Sequence, residues 1–163
     1  SSEGFPTQTS ISAAISARTT VPWPNDIEFS NNITTGNLYD RNVRKFALLE
    51  YERSVKGESP TDDFEIEHIL PQTPNIHWEG VFAGQYKELV NTWANLIPIT
   101  RNMNPAVGQQ DFTSKKKSYK DSIFATTRDV GQSWPEWTPD AVQSRAAALR
   151  EWAVGRWPYR KVD

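Results

Sequence analysis

The run Phe64-Glu-Ile-Glu-His-Ile-Leu-Pro-Gln72 sets a histidine beside a carboxylate at the end of an apolar, strand-like stretch. Imidazole titrates near neutrality, so His68 can take a proton from water, and the Glu67 carboxylate is a hard oxygen ligand for a divalent cation. Together they point to metal-assisted hydrolysis. A histidine base also needs a partner on its second ring nitrogen to fix the tautomer. Asn95 heads a second apolar run and can offer a side-chain carbonyl for that task if the two runs pair as a hairpin. A phosphodiester further requires its developing charge to be neutralised; a carboxylate and a carboxamide suit Mg²⁺ while leaving room for water and phosphate, and Glu67 and Asn104 meet that demand. Neighbours in a regular strand face opposite ways, so Glu67 and His68 share a site only if the strand bends or ends there, and Pro71 supplies an ending.

The elements that must hold these residues can be read in outline. Pro22-Trp-Pro24 with Asn-Asp after it is a rigid turn expected to open the folded part. Val43, Phe46, Leu49 and Tyr51 recur at near-helical spacing, which predicts a helix over 39–55 capped by Asn37 or Asp40. Gly57-Glu-Ser-Pro60 then breaks the chain before a half-buried strand over 64–70. A short helix follows over 85–93. The run 95–100 has the β-branching of a strand, which Pro98 confines to an edge or a two-stranded ribbon. Asp111 can cap a helix through Phe112, Lys115, Tyr119 and Ile123. Finally, Thr138 as cap, Pro139 at the first helical position and a Val142, Ala146, Leu149, Ala153, Trp157 stripe predict a long C-terminal helix packed on the core.

Composition bounds the alternatives. A chain of 163 residues with seven Trp, seven Phe and five Tyr suits one domain with a real core. Residues 1–20 are small and polar, readable as a tail, a tether to a preceding domain or a helical lead-in. The absence of cysteine removes disulfides, thiolate metal sites and a thiol nucleophile together. No apolar run is long enough for a membrane span and no signal peptide is visible, so the chain reads as soluble. A net charge of −2 argues against a binder that uses its whole surface for nucleic acid. Charge is nevertheless segregated, with acids over 50–67 and a basic block at Lys115, Lys116, Lys117 and Lys120. Such a run is ordinarily a solvated helix face. His77 reads as structural.

In E-H-I-x-P-Q, then Asn-Leu, then a second Asn nine positions after the first, the chain resembles the HNH (ββα-metal) nucleases, including the HNH domain of the RNA-guided CRISPR nucleases. Over a longer stretch, Glu67 to Gln72, Trp78, Asn95-Leu96, Asn104, Phe112, Lys115, Tyr119, Ser122, Trp137-Thr138, Arg145 and Trp157-Pro158 are similar to the C-terminal domain of GmrSD-type restriction enzymes. That family includes the C-terminal nuclease domain of the phosphorothioate-linked defence protein SspE. The likeness runs from about Pro22 to Pro158. Two positions depart from it: Glu67 stands where HNH nucleases normally carry Asp, and Gln109 where the restriction family often has a further Asn.

The resemblance implies an α+β, mostly helical fold, with a hairpin-plus-helix ββα-metal core surrounded by additional helices in a nuclease domain over 21–163. It implies that His68 is the general base, Asn95 orients it, and Glu67 and Asn104 hold Mg²⁺ or Mn²⁺. Lys115 then falls on the metal-bearing helix, either as a surface lysine or as a contact to the scissile phosphate, with Lys116 and Lys117 as backbone contacts. The expected function is a DNA endonuclease or nickase of a bacterial anti-phage defence system, leaving 5′-phosphate and 3′-hydroxyl ends. The expected setting is the cytoplasm, without a membrane, and the expected partners are DNA and an N-terminal nucleotide-hydrolysing sensor domain. The alternative is a catalytically inactive DNA-binding or inter-domain module that retains the architecture.

Overall fold

A computed structural model describes residues 24–103 and 108–158. Asn104 therefore lies outside the described residues, as do the polar tail over 1–20 and most of the Pro22-Trp-Pro24 turn. The described chain is mostly helical with one two-stranded sheet, the α+β arrangement expected from the sequence.

The first element among the described residues, helix α1 (Asp26–Thr35), was not among the expected helices. Asn25 and Glu28 form a reciprocal capping box, which is what turns the Asn-Asp after Pro24 into a helix start. Helix α2 (Arg44–Lys56) begins later than its periodicity suggested. Asn37 and Asp40 are spent on the preceding turn, where Asn37 Oδ1 accepts from the Asp40 amide at 3.1 Å and its Nδ2 donates to the Asp40 carboxylate at 2.7 Å. Val43 and Phe46 are consequently more than half exposed instead of lining the core.

Strands β1 (Glu65–His68) and β2 (Leu96–Ile99) pair antiparallel, with Glu67 opposite Ile97 and His68 opposite Leu96. A two-stranded ribbon tolerates Pro98, as expected, and its carbonyl accepts from Thr127 Oγ1 at 2.5 Å. Between the strands lie α3 (Ile76–Phe82), capped by Asn75, the short α4 (Tyr86–Leu89) and a 3₁₀ turn over Trp93–Asn95. The single helix expected over 85–93 is thus broken. Thr92 Oγ1 bonds the Leu89 carbonyl, and Thr92 forms a bridge with Asn37.

After β2 come α5 (Phe112–Tyr119), capped by Asp111 as expected, then α6 (Ala125–Ser133) and α7 (Pro139–Arg156). Helix α5 stops before Ile123 and turns into α6. Gly131 of α6 permits their close approach, because a Cβ there would meet the Lys120 amide nitrogen at 2.9 Å. The α6 start is capped by a distant side chain: fully buried Glu52 of α2 accepts from the amides of Ala125 and Thr126 and from Thr126 Oγ1 at 2.7–2.9 Å. Helix α7 buries Val142, Ala146, Leu149 and Ala153, the stripe its sequence predicts, and packs against α1 and the 3₁₀ turn. Among the described residues no helix is long and apolar enough to cross a membrane.

Candidate active site

The turn that follows β1 is held open from its far side by one carboxamide. Asn95 is fully buried. Its Oδ1 accepts from the Leu70 amide at 2.8 Å and from Trp137 Nε1 at 3.1 Å, while its Nδ2 donates to the carbonyls of Leu70 (2.9 Å) and Val90 (2.8 Å). The Ile69 amide donates to the Asn95 carbonyl at 3.0 Å. Asn95 therefore fixes the backbone just beyond His68 and does not bond the imidazole, which corrects the role expected of it. Its own segment is fixed in turn by Arg145 of α7. That guanidinium, held down at about 10 by burial, donates to the carbonyls of Ala94 and Leu96 and lies near that of Trp93.

His68 finds its partner in Asn91, which the sequence reading did not single out. His68 Nε2 lies 3.0 Å from Asn91 Oδ1. An amide oxygen only accepts, so Nε2 carries the proton and Nδ1 keeps the lone pair. Burial lowers the His68 pKa to about 4, opposed by the Asn91 bond, deepened by the Lys115 charge and opposed again by Asp40. The ring is neutral at pH 7. Tyr39 packs edge-on against it, with centroids 4.4 Å apart, and Arg44 lies 5.6 Å over the Tyr39 ring.

Glu67 points to the helix behind the ribbon. Its Oε1 accepts from Lys115 Nζ at 2.6 Å and from Tyr119 Oη at 2.8 Å, and Lys115 Nζ also donates to the His68 carbonyl at 2.9 Å. Burial pushes the Glu67 carboxyl up and the Lys115 ammonium down, while the attraction between them opposes both shifts. The two donors on Oε1 suit an ionised carboxylate, so we read the contact as a buried ion pair.

Although their partners lie in different directions, Glu67 and His68 both line one polar cleft of about 340 Å³, together with Tyr39, Pro71 to Thr73, Gly108 and Gln109. The ending of β1 at His68 reconciles the pair with strand geometry, as Pro71 suggested. Asn75 Nδ2 and Trp78 Nε1 donate to the carbonyls of Gln109 and Gln110 and so hold the segment beside the cleft. Among the described residues no three His, Asp or Glu side chains form a metal cage. A Mg²⁺-type ion does not need one, since one or two oxygen ligands, waters and substrate phosphate suffice. Glu67 is the carboxylate that would serve such an ion here; its Oε1 already takes both side-chain donors, and the carboxyl also accepts from the His68 amide.

Three lysines of the basic block meet different surroundings. Lys115 has no exposed surface and is committed to Glu67, so the phosphate contact expected of it does not match its position. Lys116 is half-buried, its Nζ 5.7 Å over the Phe112 ring and 3.4 Å from the Pro135 carbonyl. Lys117 is exposed. His77 sits exposed on α3 beside Trp78 and does not line the cleft. Asn91, four residues before Asn95, could have been found by asking which carboxamide precedes the 3₁₀ turn; Tyr39 and Tyr119 carried no comparable signal for contacts so distant in sequence.

No curated protein matches the chain. The family model for the C-terminal domain of GmrSD restriction endonucleases matches residues 23–152, a span that contains both strands, the cleft and most of α7. The chain belongs to that family, and its fold is that of a restriction-endonuclease-type nuclease domain acting on DNA in defence.

Proposed function

We propose that the domain is a metal-dependent DNA endonuclease or nickase in which His68 is the general base. The observation that carries this reading is a neutral imidazole whose Nε2–H is engaged by Asn91 while the ring lines a cleft shared with a carboxylate. Nδ1 takes the proton from a water that attacks phosphorus, Asn91 holds the tautomer, and Asn95 holds the backbone that carries the base. Glu67, with Asn104 the second residue expected from sequence, would hold Mg²⁺ or Mn²⁺, and the bound ion would supply charge neutralisation at the departing 3′ oxygen, so that cleavage leaves 5′-phosphate ends. Lys117 and, less freely, Lys116 contact the DNA backbone.

The family's description as a C-terminal domain supports a further reading: this is the cutting part of a larger bacterial cytoplasmic protein, with target selection in an N-terminal nucleotide-hydrolysing sensor. Supercoiled plasmid incubated with Mg²⁺, Mn²⁺ or EDTA tests the core of the proposal. The wild-type chain should nick or cut with either metal and not with EDTA, and His68→Ala should leave plasmid intact with an unchanged circular dichroism spectrum. Full cleavage by His68→Ala, or intact plasmid in every wild-type lane, refutes it; the second result identifies a binding module.

A further inference from the structure

Among the described residues the lining of the cleft includes no cation, and Lys115 behind it is spent on Glu67. A DNA backbone that enters therefore needs positive charge at the rim. Helix α2 begins beside Tyr39, one of the lining residues. Its first turn carries Arg44 and Lys45 with no acidic residue and no side-chain cap, a basic start that the helix dipole disfavours. Local helix energetics do not account for these cations. Lys45 is occupied, since its Nζ donates to the Phe64 carbonyl at 2.9 Å and lies 5.0 Å over the Phe64 ring. Arg44 is not. Arg53, Arg101 and Arg156 each pair with a carboxylate, whereas the Arg44 guanidinium donates only to the Arg41 carbonyl, at 3.3 Å, among the described residues. Asp40, the carboxylate of this turn, is bonded to Asn37 instead.

Arg44 is also held in register with His68. Its guanidinium carbon lies 5.6 Å from the centroid of the Tyr39 ring, and that ring lies 4.4 Å from the imidazole, so a single aromatic ring separates the cation from the base. Asn91 fixes both sides of this stack. Its side-chain oxygen takes the His68 Nε2–H, while its carbonyl accepts from the amides of Leu38 at 3.0 Å and Tyr39 at 3.2 Å. We propose that Arg44 grips the DNA backbone at a phosphate next to the bond to be cut, with Tyr39 as the spacer that sets the distance from that phosphate to His68. This deepens, and rests on, the reading of the cleft as a DNA-cutting site. A guanidinium fork matches two phosphate oxygens at once and stays charged at every working pH. It supplies the free cation that the buried Lys115 does not.

Binding of a short fluorescein-labelled duplex is followed by anisotropy over a KCl series, with EDTA present so that no DNA is cut. Arg44→Gln, or Arg44→Met if that is the one that keeps the native circular dichroism spectrum, should weaken binding and lower the slope of log affinity against log salt by about 0.9, the loss of one phosphate contact. Arg44→Lys, which keeps the charge, should keep the slope. An unchanged slope in the uncharged variant, with only a lower urea midpoint, reduces Arg44 to a clasp on Tyr39 and overturns the inference. In plasmid nicking with Mg²⁺, the uncharged variant should raise KM. Tyr39→Leu should keep the salt slope yet lower kcat at least tenfold, and Tyr39→Phe, which retains the ring, should recover part of that loss; an unchanged kcat in Tyr39→Leu overturns the spacing role. Intact plasmid in every wild-type lane removes the reading on which the inference rests, whereas wild-type cleavage together with an unchanged slope in the uncharged Arg44 variant overturns the inference alone.

Discussion

Asn91→Asp replaces the acceptor 3.0 Å from His68 Nε2 with an anion of nearly the same shape. In the native protein burial holds the His68 pKa at about 4, so the ring is neutral across the physiological range. A carboxylate at hydrogen-bond distance favours the imidazolium and raises a histidine pKa by about 1–3 units, which places the variant between about 5 and 7. The base works only when unprotonated. The wild-type chain should thus keep its rate as pH falls until the carboxylates and His68 titrate, whereas Asn91→Asp should already lose rate between about pH 7 and 5. Initial rates of plasmid nicking from pH 4 to 8 at constant ionic strength read this directly. Glu67, whose carboxyl is also raised, contributes an acid limb common to both proteins, so the difference between the two profiles isolates His68. Stability follows the same linkage. The unfolded chain binds a proton at His68 below about pH 6.5 and the folded chain only below about 4, so folding weakens as pH falls through that window, by about 3 kcal/mol from this group. The loss should be smaller in Asn91→Asp. Coincident pH–rate profiles for the two proteins would refute the assignment of His68 as the base held by Asn91.

Asn95→Ala leaves the Leu70 amide and carbonyl, the Val90 carbonyl and Trp137 Nε1 without their partner; we expect a loss of about 2–4 kcal/mol in urea unfolding and a fall in cleavage by the molecules that stay folded. A loss of stability without a loss of cleavage would show that the turn after His68 keeps its shape by other means. Glu52→Ala removes three hydrogen bonds at the start of α6 and should cost a similar amount, again read from the urea midpoint, with cleavage per folded molecule unchanged because Glu52 lies outside the cleft. Lys117→Ala should weaken DNA binding and lower the slope of log affinity against log salt by about 0.9, and an unaltered slope would place Lys117 outside the interface.

What the sequence made legible was whatever depends on neighbours in the chain. Thr138-Pro139 and the Val142 to Ala153 stripe specify α7 by local capping and period, and Asp111 specifies α5 in the same way. The 64–70 and 95–100 runs specify paired strands, with Pro98 leaving an edge or a two-stranded ribbon open to the second. Contacts made across long separations were not legible. Glu52 caps a helix more than seventy residues away, and nothing beside it marks that task. Lys115 stands in a row of three lysines that composition treats alike. Only helix phase, which puts Lys115 on the same face as Phe112 and Tyr119, distinguishes a core ion pair from a solvated charge. The two carboxamides were confused for a related reason. Asn95 has the right spacing from His68, but the 3₁₀ turn directs it to Leu70 and leaves the ring to Asn91.

Arg145 and Trp137 bear on when, during synthesis, this protein becomes dangerous. Both reach back to the 93–96 segment, where they satisfy the main-chain carbonyls of Ala94 and Leu96 and the side chain of Asn95. On a growing polypeptide the histidine, its glutamate and both asparagines emerge from the ribosome long before these two residues do. Until α7 arrives, the buried acceptors at the head of β2 lack their donors, and the turn behind His68 lacks what fixes it. The order of the chain thus defers assembly of the candidate site until α7 has been made.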